Sequence, residues 1–127
     1  MPKLQPKEIW KVALSDSQAH EQMGERPAIV IAVHTETGTT MVVPFTKNQD
    51  YTRFPYSYLV KKSNPNGLIL DSVALIFQMR CLGNSTSRFL YKMGTVEDAH
   101  LKQIMLIGEC SFLFNYVQNM CKAAQQS

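Results

Sequence analysis

The chain of 127 residues contains only three cysteines, Cys81, Cys110 and Cys121, and none of them stands in a Cys-x-x-Cys pair or beside a histidine. The ligand spacing of a zinc site is missing and no disulfide framework is indicated, so no metal and three reduced thiols are expected. Long apolar runs are just as scarce. The longest apolar-rich segment, residues 110–116, is interrupted by Ser111 and Asn115 and falls far short of the ~18 residues of a membrane span. Residues 1–11 lack the apolar stretch of a secretion signal. The expectation is a cytoplasmic protein with no membrane partner. Acids are sparse in the middle of the chain. Between Thr37 and Thr95 only Asp50 and Asp71 stand against Lys47, Arg53, Lys61, Lys62, Arg80, Arg88 and Lys92.

What is present suits one ordinary domain. With 45% hydrophobic and 18% charged residues, the chain can bury a core, and its length fits one domain better than two. The formal net charge of +3 does not by itself establish a nucleic-acid partner, but the basic middle permits a polyanion.

The first two-thirds reads as short strands. Residues 8–14 alternate, with Ile9, Val12 and Leu14 apolar and Trp10 assigned to the core. Residues 15–24 are polar and without period, hence a loop. Residues 28–33 form an unbroken, largely β-branched run, which predicts a strand buried on both faces. The glycine of Glu36-Thr37-Gly38 suits a hairpin, and residues 39–45 return as a third strand. There Pro44 ends regular pairing on one edge and leaves Phe45 and Thr46 at a strand mouth. Residues 56–60 and 73–77 are further strands around the turn Asn64-Pro65-Asn66-Gly67.

The last third changes period. Thr95 is read as an N-cap followed by acidic Glu97 and Asp98, and Leu101, Ile104, Met105, Phe112 and Tyr116 then recur at helical spacing. Gly108 leaves one long helix and two shorter ones equally open. The class is α+β: a small, closed or half-closed antiparallel barrel of five or six strands followed by a C-terminal helix.

Three local patterns are more specific than periodicity. They are Ile9-Trp10 in the opening strand, His20-Glu21-Gln22-Met23-Gly24-Glu25-Arg26-Pro27 entering the buried strand, and Val42-Val43-Pro44-Phe45-Thr46 closing the next. In this order and spacing the chain resembles the MazF/PemK/Kid family of bacterial toxins, whose pattern runs D-I-W, E-Q-x-G-x-R-P and V-P-x-T. The likeness continues through Leu70-Asp71-Ser72-Val73, Arg80, Met93-Gly94-Thr95-Val96 and Ile107-Gly108. It divides the chain into a toxin domain, residues 1–108, and a helical extension of the same domain, residues 109–127.

The resemblance implies a CcdB-like, SH3-like barrel and a homodimer that cuts single-stranded RNA (mRNA) at short sequence contexts without a metal or other cofactor. It further implies a cognate antitoxin, through which alone double-stranded DNA would be contacted. Cutting RNA in this way uses the neighbouring 2′-hydroxyl as nucleophile, so a site must take its proton, neutralise the phosphorane and protonate the leaving oxygen. The family pattern gives Arg26 and Thr46 the central catalytic roles. A guanidinium meets phosphate oxygens bidentately, and the threonine hydroxyl can donate to a non-bridging oxygen. An arginine is a poor base, so His20 is taken as the proton acceptor, with Glu21 and Asp71 as lesser candidates. The Kid-like pattern has an arginine two residues before the aspartate matching Asp71; this chain has Ile69 there. RNA is expected to meet Gln22, Phe45, Lys47, Arg53, Tyr56 and Arg80, by charge or by base stacking. Two other readings share the barrel: a CcdB-like poison of DNA gyrase, and a family member that binds RNA or antitoxin without cutting.

Overall fold

The computed structural model describes residues 2–14, 24–110 and 113–123. Among the described residues seven strands and two helical segments follow one another. They are β1 (Glu8–Ala13), β2 (Glu25–His34), β3 (Thr39–Thr46), β4 (Ser57–Val60), β5 (Ser72–Leu75), β6 (Arg80–Gly83) and β7 (Phe89–Thr95), then α1 (Asp98–Cys110) and α2 (Leu113–Ala123). Short 3-10 segments at Gln49–Arg53 and Ile76–Gln78 lead into β4 and β6. The strands pair antiparallel in the order β4-β5-β3-β2-β1-β7, with β6 also on β3.

β2 and β3 are the axis of this sheet because both their faces are apolar. Ile29 and Ile31 face one core with Met41, Val43 and Phe45, while Ala28 and Val30 face a second with Val12, Val42 and Phe89. Every residue of β3 is buried, and burying a side chain such as Phe45 contributes about 1.5–3 kcal/mol. Pro44 is the last β3 residue to pair with β2; Phe45 and Thr46 pair instead with Ala74 and Val73 of β5 on the other edge. A residue without an N–H is tolerated where one ladder stops, and the end of pairing on one edge expected at Pro44 is found there. The change of partner ends the β2–β3 ladder before the first residues of β2, and the candidate site lies there.

The far ends of the sheet meet where the turn after β4 touches β7: the Thr95 N–H donates to Pro65 O at 2.8 Å. The result is the expected half-closed antiparallel barrel with helices at its C-terminal end. Val117 and Cys121 of α2 are buried in the same core as Ile104 of α1. Both helices thus pack on the core of the barrel.

Several expectations are corrected. Among the described residues there are seven strands and not five or six; β6 and β7 have too little hydrophobic alternation to stand out in the sequence. Thr95 ends β7, so the residue before α1 is Glu97, whose carbonyl accepts the first helical bond from the Leu101 N–H at 3.0 Å. Gly108 lies inside α1, so it does not end that helix. Trp10 is only half-buried: it meets Phe89 edge to face, and its indole N–H donates to Glu8 Oε1 at 3.0 Å. The reduced thiols are corrected too. Cys81 of β6 and Cys121 of α2 are joined as a disulfide, with Cα atoms 5.6 Å apart, a pairing across 40 residues that spacing alone does not reveal.

Candidate functional site

The site grows out of strand register. In the β1–β2 ladder Arg26 stands opposite Val12 and Pro27 opposite Lys11. The β2–β3 ladder stops at the Ala28–Pro44 pair, with Arg26 two residues before it on β2 and Thr46 two residues after it on β3. Lys11, Glu25, Arg26 and Pro27, together with Phe45, Thr46 and Lys47, surround a recess of about 270 Å³. The rest of its lining is Leu68, Ile69, Leu70 and Ser72, from the connection between β4 and β5, and Met93 of β7. Among the described residues three cations line the recess against one acid, which favours an anion there, and its apolar stretch from Leu68 to Leu70 adds a surface that water solvates poorly.

Thr46 is held by an identifiable contact. Its Oγ1 accepts from the Asn48 N–H at 3.2 Å, which fixes the oxygen and leaves the hydroxyl proton to be donated. Asn48 is itself set by its side chain, whose Oδ1 accepts from the Asp50 N–H at 3.1 Å and caps the Gln49–Arg53 segment. Among the described residues no group of three or more His, Cys, Asp or Glu gathers as a metal-holding cluster.

The structure brings Arg26, Thr46, Phe45 and Lys47 to one recess. Phe45 is fully buried in the core, so it forms the recess floor; the expectation that it contacts RNA through an open aromatic face is corrected. Asp71 accepts from the Lys62 N–H at 2.9 Å and thereby ties two ends of a loop. Arg53 and Tyr56 do not line the recess. The Arg53 guanidinium sits 5.7 Å from the centroid of the Phe54 ring, and exposed Tyr56 has a left-handed backbone, φ 62°. Arg80 does not line the recess: it pairs with Val42 across β3, and its Nε donates to Gln78 O at 3.4 Å. His20, Glu21 and Gln22 lie outside the described residues. The chain leaves β1 at Leu14 and rejoins β2 at Gly24, where the Leu14 N–H donates to Gly24 O at 2.8 Å, next to Arg26.

Sequence reasoning missed Lys11, Met93 and the 68–70 lining. Lys11 was findable, since pairing the first two predicted strands places it beside the Arg26-Pro27 motif. Met93 and the 68–70 segment depend on β7, which was not foreseen.

The 68–70 segment is set by a buried polar network. Asn66 is fully buried. Its Oδ1 accepts from the Ser63 and Leu68 N–H groups at 3.1 and 3.0 Å, and its Nδ2 donates to Lys61 O at 3.0 Å and Glu97 Oε1 at 3.1 Å. Ser63 Oγ donates to the other Glu97 oxygen at 2.7 Å. Burial acts to raise the Glu97 pKa, but the bonds from Ser63, its own backbone N–H and Asn66, with the nearby His100, outweigh it and hold the carboxyl below its ordinary range. The network is therefore satisfied and charged at neutral pH, a condition for a rigid turn.

The structure is thus a small antiparallel barrel whose strand change opens a cationic recess at the β2–β3 end. The sequence from 5 to 106 matches the family model of PemK-like, MazF-like toxins of type II toxin–antitoxin systems. The chain belongs to this family, and an antitoxin is its partner in kind. It is 31% identical over 105 residues to Endoribonuclease MazF9 of Mycobacterium tuberculosis, covering 76% of this chain and 86% of that one. Its fold is similar to that of crystalline MazF from Deinococcus radiodurans, with a TM-score of 0.69 at 19% identity over 84% of this chain and 94% of that one. It is also similar to the toxin MazF-mt6 of Mycobacterium tuberculosis, with a TM-score of 0.60 at 15% identity over 80% of this chain and 93% of that one. α2 lies beyond the matched residues. Among the described residues no helix is long and apolar enough to cross a membrane.

Proposed function

We propose that this toxin is an endoribonuclease that cuts single-stranded RNA at a short sequence context, without a metal, by attack of the 2′-hydroxyl on the adjacent phosphorus. The observation that carries the reading is the convergence of Arg26 and Thr46, from neighbouring strands, on one cationic recess. Lys11 and Lys47 draw the backbone phosphate into the recess. Arg26 pairs with its non-bridging oxygens as charge accumulates there, and the Thr46 hydroxyl, aligned by the Asn48 N–H, donates to one of them. The 2′-oxygen bonds to phosphorus as its proton passes to a base, for which His20 is proposed and Glu21 or Asp71 are lesser candidates. The bond to the 5′-oxygen breaks, that oxygen takes up a proton, and the products are a 2′,3′-cyclic phosphate and a free 5′-hydroxyl.

Gln22, Lys47, Arg53 and Tyr56 are assigned to holding the strand on either side of the cut. The toxin is proposed to work as a homodimer, in keeping with the exposed Leu106, Tyr116 and Met120 on its helices. An antitoxin would cover the site and alone bring the pair to double-stranded DNA. Residues 109–127 are read as an extension of the toxin domain, a reading supported by Val117 and Cys121 in the core.

The test is incubation of the pure protein with a long single-stranded RNA in EDTA, followed by analysis of fragment ends. Discrete cuts with cyclic phosphate termini, abolished by a 2′-deoxy sugar at the cut nucleotide, are expected. Cleavage that survives the deoxy substitution would overturn the 2′-hydroxyl route, and cleavage that stops in EDTA would overturn the metal independence.

A further inference from the structure

Ile69 and Leu70 are among the most exposed large apolar side chains of the protein, at 77% and 51% exposure, and both line the cationic recess. Isolated apolar residues on a surface need no explanation, but two in succession at the rim of a site for a charged chain do. Their backbone is not loose. Fully buried Asn66 fixes the Leu68 N–H at 3.0 Å and is itself anchored to Glu97 before α1. Ser72 Oγ donates to Leu70 O at 2.8 Å on the other side. The two side chains are thus presented by a short ledge pinned at both ends, close to the cations that would hold a phosphate.

We infer that Ile69 and Leu70 form an apolar ledge on which one nucleobase flanking the scissile phosphate packs, and that this contact sets the base preference of cleavage at that position. The inference rests on RNA being the substrate. A phosphate gripped by Arg26 carries its base within one nucleotide of the recess, and the flat face of a base is the part of RNA that gains from leaving water against an aliphatic surface. Apolar packing discriminates by size and shape, so the preference is graded. A difference of roughly tenfold between purine and pyrimidine is the scale such a contact supplies.

The experiment compares the wild-type protein with Ile69→Ala and Leu70→Ala on a randomised single-stranded RNA, reading the distribution of fragment 5′ ends. Thermal unfolding of each variant confirms the fold, which such exposed positions should leave intact. The expected result is a cleavage motif that loses roughly tenfold preference at one position and keeps its others. In a parallel set of oligonucleotides, removing the base at that one position should raise KM for wild type and have no further effect on the variants. An unchanged motif in folded, cutting variants overturns the ledge. So does an unchanged motif with weakened antitoxin binding, which would make the ledge a protein contact. If the wild-type protein neither cuts nor binds RNA, the endoribonuclease reading fails first and the ledge fails with it.

Discussion

Gly67 and Gly94 meet backbone against backbone where the turn after β4 touches β7. A Cβ on Gly67 would lie 2.0 Å from Met93 O, and a Cβ on Gly94 would lie 2.4 Å from Pro65 O. The two contacts are reciprocal, each glycine making room for the chain that carries the other. With the Thr95–Pro65 hydrogen bond, this approach fixes the segment that leads from Asn66 to the recess.

Gly94→Ala tests that relationship, because its obstacle is a backbone oxygen that cannot rotate away. The substitution should destabilise the fold by about 1–3 kcal/mol, the usual cost of overpacking. A lower urea midpoint with an unchanged slope is the signature. Gly67→Ala should cost more, since its φ of +70° adds backbone strain to the clash. Equal midpoints for Gly94→Ala and wild type would show that the turn and β7 separate freely.

Arg26→Ala should remove cutting while leaving the fold intact, because the role proposed for the guanidinium is to meet charge at the recess and Arg26 is not among the core residues. Loss of one preorganised donor to an anionic transition state costs about 10²–10³ in kcat, and the arginine should lie at or beyond the top of that range. Thr46→Val keeps volume but deletes the hydroxyl held by the Asn48 N–H. Turnover should fall about 10²-fold with KM little changed, because the donation strengthens as charge develops. An unaltered kcat in folded Thr46→Val would reduce this residue to a strand end.

Much of this arrangement is legible in the sequence, for physical reasons particular to each residue. The β-branched run of β2 and the Pro44 stop are local, and both hold in the structure. The order of the Ile-Trp, Arg-Pro and Pro-x-Thr patterns places Arg26 and Thr46 at adjacent strand ends. The sequence is silent where partners are distant. β7 turns Leu90, Tyr91 and Lys92 outward, so it shows no alternation, and with it Met93 and the Gly67–Gly94 contact stay hidden. Phe45 looks like a stacking face because it neighbours Thr46, yet strand pleating turns it into the core. Arg80 fits the basic stretch but follows β6 to the outer part of β3.

Acid should weaken the fold through two glutamates. Burial acts to raise the Glu8 pKa, but the bonds from Trp10, Lys92 and the Gln5 N–H, with the Lys92 charge, outweigh it and hold the carboxyl below its ordinary range; Glu97 is held low as well. A group whose folded pKa is depressed contributes its stability in full above the unfolded pKa, about 4.3 for glutamate. That contribution is lost as pH falls through the lower, folded value. Urea midpoints should therefore be level from pH 7 down to about 5 as far as these two groups are concerned, then decline. Glu97→Gln should start less stable at pH 7 and decline less steeply below pH ~4.5. Parallel pH profiles for variant and wild type would show that Glu97 contributes no proton linkage.

The disulfide makes the most specific claim about the part of the chain beyond the family match. Cys121 is fully buried beside Val117, and its bond to Cys81 ties α2 to a strand that pairs directly with β3. A cross-link over 40 residues removes conformational freedom mainly from the unfolded chain and typically contributes about 2–4 kcal/mol. Three cysteines less the bonded pair leaves one, so the denatured, oxidised protein should titrate one thiol and the reduced protein three. Reductant should lower the urea midpoint of wild type by the corresponding amount and leave Cys121→Ser unaffected. Cys121→Ser should itself fall below reduced wild type, since it also places a hydroxyl in an apolar site. If wild type unfolds at the same midpoint with and without reductant while its thiol count changes from one to three, α2 is held by packing alone and the bond contributes nothing to stability.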